Sequence, residues 1–424
     1  MVFNKKAEEI FQKAKNKKKV IPRYQDYCFA NIPNTILSLF DIKEAGVSLP
    51  ADALPRKKYK HIIVLIVDAL GYFKFKKCQA DFSFLTDQAI VTPLTALFPS
   101  TTAASLATLS TGVLPKEHGL FEWHLYLPQV EEIIKTLPFC LSDSYQADEL
   151  IRQGYKAELL LQEETIYEKL EKKGVKALSF CHESYYNSAY NSVSKKGSLS
   201  VPFFDLAELS VKLTKNIKQV HHQHNKSLIT VYVDYLDTMS HRWGPNNQVG
   251  TAEIKQILFM LQETLRSLGK EVKKETLFLL TADHGQITID PDKTIDLNKL
   301  SRLKDFLAVN SRGKTILGTG GRRDVFCHIK EGRIDEAIDY LKQELNDQAE
   351  IYRTEEILNK GWFGPGKASK RFRERLGDIL ILPRGNNTAW FVSEEKKFTL
   401  YGHHGGLSPR EMFIPLIACD LENL

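Results

Sequence analysis

The chain lacks the marks of several broad protein classes. Its six cysteines (Cys28, Cys78, Cys140, Cys181, Cys327 and Cys419) are scattered singly, with no Cys-x-x-Cys pair. That excludes a zinc ribbon, a dithiol redox motif and a disulfide scaffold, and it fits a reducing compartment. No apolar run approaches the ~18 residues expected of a membrane-spanning helix. The opening segment, MVFNKKAEEIFQKAKNKKKVIPRY, has no apolar core of the kind a secretory signal needs. A cytoplasmic protein without a transmembrane segment is therefore expected. There is little excess charge of either sign: 58 Lys+Arg against 52 Asp+Glu leaves +6 on 424 residues. This is too dilute for a nucleic-acid coat or a membrane-surface protein, so no specific nucleic-acid partner is expected. With 43% hydrophobic and 26% charged residues, disorder is excluded as well.

What the chain does have is a set of short apolar runs that end on carboxylates. KHIIVLIVDALG (60–71) is an Ile/Val-rich run stopped by Asp68. SLITVYVDYLDTMSH (227–241) runs to Val233 and then offers Asp234, Asp237 and His241. ETLFLLTADHGQ (275–286) ends on Asp283-His284-Gly285. Such runs read as strands buried on both faces of a parallel sheet, and ligands bind beyond the carboxyl ends of such strands. Apolar residues recur near the helical period in 252–274 and 334–347. Strands alternating with helices predict an α/β fold: a three-layer α/β/α sandwich with a mostly parallel central sheet. GDILILP (377–383) reads as a return to that core, followed by 401–417. The lysine-rich residues 5–19, the HHQH run (221–224) and the basic stretch Lys370–Arg375 all read as solvated surface.

The metal-capable residues at these strand ends are Asp68, Asp237, His241, Asp283, His284 and the His403-His404 pair. Carboxylate oxygen with imidazole nitrogen suits borderline cations, zinc first and manganese after it. Asp237 and His241 share one side if helix follows the strand. In LFPSTTAASLATLSTG (97–112) a hydroxyl residue falls at a helix start, where backbone N–H groups attract anions such as phosphate.

Taken in order, IVDALG (66–71), FPSTTAASLATLSTG (98–112), LDTMSHRWGP (236–245), TADHGQ (281–286) and HHGGLSPREMFIPL (403–416) resemble the alkaline phosphatase superfamily. Within it, they are similar to the type I phosphodiesterase/nucleotide pyrophosphatase branch. The resemblance implies a hydrolase of phosphate esters, with phosphodiester or nucleotide pyrophosphate bonds foremost and a small-molecule substrate. It implies Thr102 as a nucleophile that carries a phosphothreonine-type intermediate, and Ala103 as a substrate-binding backbone N–H. Two divalent cations are implied, probed first as zinc. Asp68, Thr102, Asp283 and His284 would hold one, and Asp237, His241 and His404 the other. The branch places an Asn shortly after its His-Gly motif to meet a phosphate oxygen. Here HGLFEWHLYLP puts Trp123 at that spacing, beside Glu122 and His124.

The expected organisation is a basic leader with lead-in helices over 1–55 and a catalytic domain over 56–424. Inserted segments, one of them a substrate-facing cap, are expected at about 121–225 and 305–375. Two rivals accompany this reading: a phosphomonoesterase or a phosphonate or sulfate ester hydrolase on the same scaffold, and a non-catalytic metal-binding or nucleic-acid- or membrane-associated protein.

Overall fold

A computed structural model describes residues 2–44, 46–87, 89–392 and 399–424. The apolar runs form the middle of an eight-stranded sheet. Its strands lie in the order Val2–Phe3, Ala89–Thr95, Phe413–Asp420, Thr276–Thr281, His61–Val67, Ser227–Val233, Lys176–His182 and Leu199–Phe203. All neighbours run parallel except at Phe413–Asp420, which is antiparallel to both of its partners. Every residue of His61–Val67 and of Thr276–Thr281 is buried, as two-sided coverage requires. Because Thr276–Thr281, His61–Val67 and Ser227–Val233 are adjacent and parallel, the residues after them emerge at one sheet edge. That register brings carboxylates 215 positions apart in sequence, Asp68 and Asp283, to the same place.

Helices cover the sheet in a three-layer α/β/α arrangement. Leu206–His222 buries Leu209, Leu213, Ile217 and Val220, one face of a 3.6-residue period. The helix expected over 252–274 divides into Gln248–Arg266 and Lys270–Lys274, with Gly269 as the N-cap of the second piece. The basic leader is not a free helix. Val2–Phe3 adds a parallel edge strand, Asn4 caps Lys5–Ala14 through Ala7 N–H (3.1 Å), and the Phe11 ring packs edge-on against Tyr72 and Phe413.

A second, seven-stranded antiparallel sheet has its own apolar core. Its order is Ala349–Arg353, Ile379–Pro383, Asp324–Cys327, Thr319–Gly321, His124–Leu127, Glu132–Lys135 and Cys140–Leu141. Leu297, Phe306, Val325, Leu341, Ile379 and Ile381 pack together there. The 121–225 stretch therefore divides. Residues 124–141 join this sheet, while Lys176–His182 and Leu199–Phe203 extend the central sheet at its edge. GDILILP differs from expectation in the same way. Ile379–Pro383 belongs to the second sheet, and the chain regains the central one only at Phe413. Five buried apolar residues suit the middle of either sheet, so periodicity alone does not separate them. The Lys370–Arg375 stretch is likewise only partly solvated: Arg375 is buried and donates to the Gly119 carbonyl at 2.7 Å.

Candidate active site

Three local devices build the site. Thr101 starts the helix Thr102–Thr111 from an extended backbone (φ −132°, ψ 151°) and accepts from Ala104 N–H, while its own hydroxyl donates to the Phe121 carbonyl at 2.9 Å. Thr102 is thereby the first helical residue, and the Ala103 N–H has no acceptor among the described residues. The helix Tyr235–Trp243 carries Asp237 and His241 one turn apart, with Asp237 Oδ2 3.3 Å from His241 Nε2. Gly285 then lets the Asp283–His284 turn close in, since a Cβ there would lie 2.1 Å from the Arg410 carbonyl oxygen.

The Thr102 hydroxyl lies 3.3 Å from Asp68 Oδ2 and 3.1 Å from His284 Nε2. His284 Nε2 is in turn 3.4 Å from Asp68 Oδ1 and 3.4 Å from Asp283 Oδ2. On the other side the His284 and His404 rings stack at 3.7 Å, and His404 Nε2 is 4.0 Å from Asp237 Oδ1. Two sets of ligand atoms result, each within 4.8 Å: Asp68, Asp283 and His284, and Asp237, His284 and His404. His241 joins the second set through Asp237.

The proton arrangement shows what these groups can hold. Each of the three imidazoles has Nδ1 on a backbone carbonyl: Gly285 for His284 (3.2 Å), Gly402 for His241 (2.8 Å) and Ser100 for His404 (2.9 Å). A carbonyl can only accept, so Nδ1 carries the hydrogen and Nε2 turns a lone pair inward. Asp283 Oδ1 is satisfied by the Ala69 and His284 N–H groups, but Asp283 Oδ2 and Asp68 Oδ1 are buried without a hydrogen-bond partner among the described residues. Lone pairs facing lone pairs in a buried site call for positive charge between them, as protons or as cations, and this donor set fits two divalent ions. Burial, reinforced by the charges of Asp283 and Asp237, pushes the Asp68 carboxyl well above its usual range. Burial acts on Asp237 in the same sense, but positive charge on protonated His241, His404 and His284 would outweigh it and hold that carboxyl low.

All seven residues expected as ligands or nucleophile thus converge. Asp234 stands apart at the cap of its helix, where burial raises its carboxyl. His403 is buried in the short ladder with Ile287 and joins neither ligand set. Several contributors went unread in the sequence. Tyr232 donates its hydroxyl to Asp68 Oδ2, Gln286 donates its amide to Asp237 Oδ1, and the buried Ser100 holds Gly405 N–H at 3.1 Å. Gln286 closes the TADHGQ motif (281–286), the local signal that marks it.

At the Asn position, Trp123 is exposed and its backbone N–H donates to Glu122, which burial lifts to about 7. Beside it, the two-residue turn Arg322-Arg323 joins Thr319–Gly321 to Asp324–Cys327. Arg323 is neutralised by Glu411 (3.1 Å). The half-buried Arg322 has no side-chain partner among the described residues, although its charge acts on both His124 and His403.

Comparisons with known proteins agree with this geometry. The profile described as "Type I phosphodiesterase / nucleotide pyrophosphatase" matches residues 62–407. Venom phosphodiesterase 2 of Crotalus adamanteus is 24% identical over 247 residues, 56% of this chain and 28% of the venom protein. A venom phosphodiesterase of Macrovipera lebetinus is 24% identical over 221 residues, 50% of this chain and 22% of the relative. The chain thus matches only about a quarter of the length of these relatives. Murine ectonucleotide pyrophosphatase/phosphodiesterase 5 has a similar fold, with a TM-score of 0.64 at 16% identity over 84% of this chain and 87% of that one. An inactive threonine-to-alanine variant of the murine protein, in complex with AMP, matches equally well. The chain belongs to the type I phosphodiesterase/nucleotide pyrophosphatase family.

Proposed function

We propose that the chain hydrolyses phosphodiester or pyrophosphate bonds in small nucleotide-like substrates, with Thr102 as covalent nucleophile. The observation that carries this reading is the Thr102 hydroxyl, at a helix start and within 3.3 Å of both Asp68 and His284. Asp68, Thr102, Asp283 and His284 would hold one divalent cation and Asp237, His241 and His404 a second, zinc first and manganese after it. Bound there, such ions supply Lewis acidity toward the phosphoryl oxygens and lower the pKa of hydroxyl and water.

Asp68 Oδ2 receives the Thr102 hydrogen, which turns an oxygen lone pair toward the substrate. Tyr232 holds that same carboxylate oxygen in place. The Thr102 oxygen attacks phosphorus in line, the leaving oxygen departs, and water hydrolyses the resulting phosphothreonine. The Ala103 N–H at the positive end of the helix offers a hydrogen bond to the phosphoryl oxygen as charge grows there. Arg322 supplies the cationic contact for the substrate phosphate that an Asn near Trp123 would otherwise provide as an amide. The six cysteines are all free and buried, which supports a reducing compartment as the place of action.

Parallel assays of wild type and Thr102→Ala on bis(nitrophenyl) phosphate, nitrophenyl phosphate and a dinucleotide, with Zn²⁺ or Mn²⁺, test this. The expected result is diester turnover by the wild type and a loss on the order of a thousandfold or more in the variant. Metal content of the variant should stay nearly intact. Preferred turnover of the monoester would favour the phosphatase rival. No turnover of any ester, with no tightly bound metal, would favour a non-catalytic binder.

A further inference from the structure

The three strands that deliver Asp68, Asp283 and Asp237 to one sheet edge also have opposite ends, and a second histidine cluster lies there. His61 begins the strand that leads to Asp68, and Glu275 immediately precedes the strand that leads to Asp283. His221 lies in the last turn of the helix Leu206–His222, which feeds the strand leading to Asp237. His61 Nε2 is 3.3 Å from His221 Nδ1, and His221 Nδ1 is 3.6 Å from Glu275 Oε2. All three ligand atoms fall within 4.8 Å of one another.

We propose that His61 Nε2, His221 Nδ1 and Glu275 Oε2 form a separate site for a borderline divalent cation, with Zn²⁺ as the reference ligand. Two imidazole nitrogens on a tetrahedral zinc at ~2.0–2.1 Å stand about 3.3–3.4 Å apart, the spacing of His61 and His221. Two imidazoles with one carboxylate is a ligand set zinc accepts, leaving a fourth position for water. The ligands are also oriented. His61 is buried, and the Ser227 hydroxyl 2.9 Å from its Nδ1 holds the ring with Nε2 toward His221. Lys60 takes Glu275 Oε1 at 2.6 Å and leaves Oε2 to the site. Without metal, His61 and His221 share one N–H···N hydrogen bond, and the cation displaces that proton. The ion ties a helix end to the starts of two central strands, so its role is to clamp the sheet and not to react.

The test uses the full chain, stripped with chelator and titrated with Zn²⁺ alone. Wild type, His221→Asn and Glu275→Gln are compared by calorimetry and by metal analysis after dialysis. The expected result is one fewer zinc per chain in each variant, with phosphoesterase turnover within about twofold of wild type, because these positions lie outside the catalytic set. A His404→Ala variant should lose metal independently and keep this site, which separates the clamp from the catalytic reading. Zinc-edge anomalous scattering from crystals should place a peak among the three named atoms. Equal stoichiometry in wild type and His221→Asn, or no anomalous peak there, overturns the proposal. His221 is partly exposed, and a circular dichroism spectrum matching wild type confirms that the variant folds.

Discussion

The two ends of the same three parallel strands handle polar atoms in opposite ways. At the carboxyl ends, buried oxygens of Asp68 and Asp283 have no hydrogen-bond partner among the described residues, and three imidazoles turn Nε2 lone pairs toward the carboxylates. At the amino ends, Ser227 and His221 each share a hydrogen bond with His61, and Lys60 pairs with Glu275. Unmet lone pairs destabilise the metal-free fold and raise affinity for a cation, whereas satisfied ones must first give up a proton. If both proposed sites take metal, the carboxyl-end site is expected to fill first and the clamp at higher free metal.

Removing charge at each end of the strands in turn should give the largest contrast. Asp283→Asn should cost metal at the catalytic edge and on the order of a thousandfold in kcat/KM, measured at saturating Zn²⁺. Glu275→Gln, the matching change at the other end, should leave kcat/KM nearly unchanged. If both substitutions had similar effects on activity, the division of labour would be wrong.

A smaller effect is expected at Arg322, whose guanidinium lacks a partner among the described residues while its neighbour Arg323 is paired with the buried Glu411. Arg322→Gln should lower kcat/KM by about ten- to a hundredfold, the worth of one charged hydrogen bond of ~1.5–3 kcal/mol. The loss should be larger for substrates bearing more than one phosphate. Tyr232→Phe removes the hydroxyl that orients Asp68 and should cost about tenfold, a typical price of losing a partner that positions a ligand.

How much of this was legible in the sequence follows from where the signals lie. Asp68, Asp237 and Asp283 could be picked out because each ends or follows a continuous apolar run, whereas the hydroxyl run at the helix start offered several candidates and only the family resemblance singled out Thr102. Tyr232 was not, since an aromatic residue in a buried strand is ordinary and only the fold aims its hydroxyl at Asp68. Arg322 sits in a tight turn of the second sheet, and nothing local announces that this turn approaches the catalytic edge. His61 and His221 are 160 positions apart, so their pairing depends on sheet order alone. The run at Ile379–Pro383 carries the composition of either sheet, and its destination was decided by partners on the antiparallel side.

An effect confined to stability separates a structural histidine from those at the candidate site. His118 is buried against Thr108, and burial, with Arg371 and Arg375 nearby, lowers its pKa to about 3. Its folded value lies below the unfolded one of about 6.5, so its contribution is present above that pH and is lost as pH falls toward 3. At pH 5 the loss is about 2 kcal/mol per such histidine. His118→Gln should flatten the acid limb of a urea-denaturation series between pH 7 and 5, with these two values chosen to bracket the ~6.5 unfolded pKa.

The covalent role of Thr102 is tested most directly by the stereochemical course at phosphorus. A chiral phosphorothioate diester, hydrolysed by the metal-loaded protein in isotopically labelled water, reports the number of in-line displacements. Attack by the Thr102 oxygen followed by water makes two, so net retention of configuration is the predicted result. Inversion would mean that water attacks directly, and would contradict a phosphothreonine intermediate even if every other residue were placed correctly.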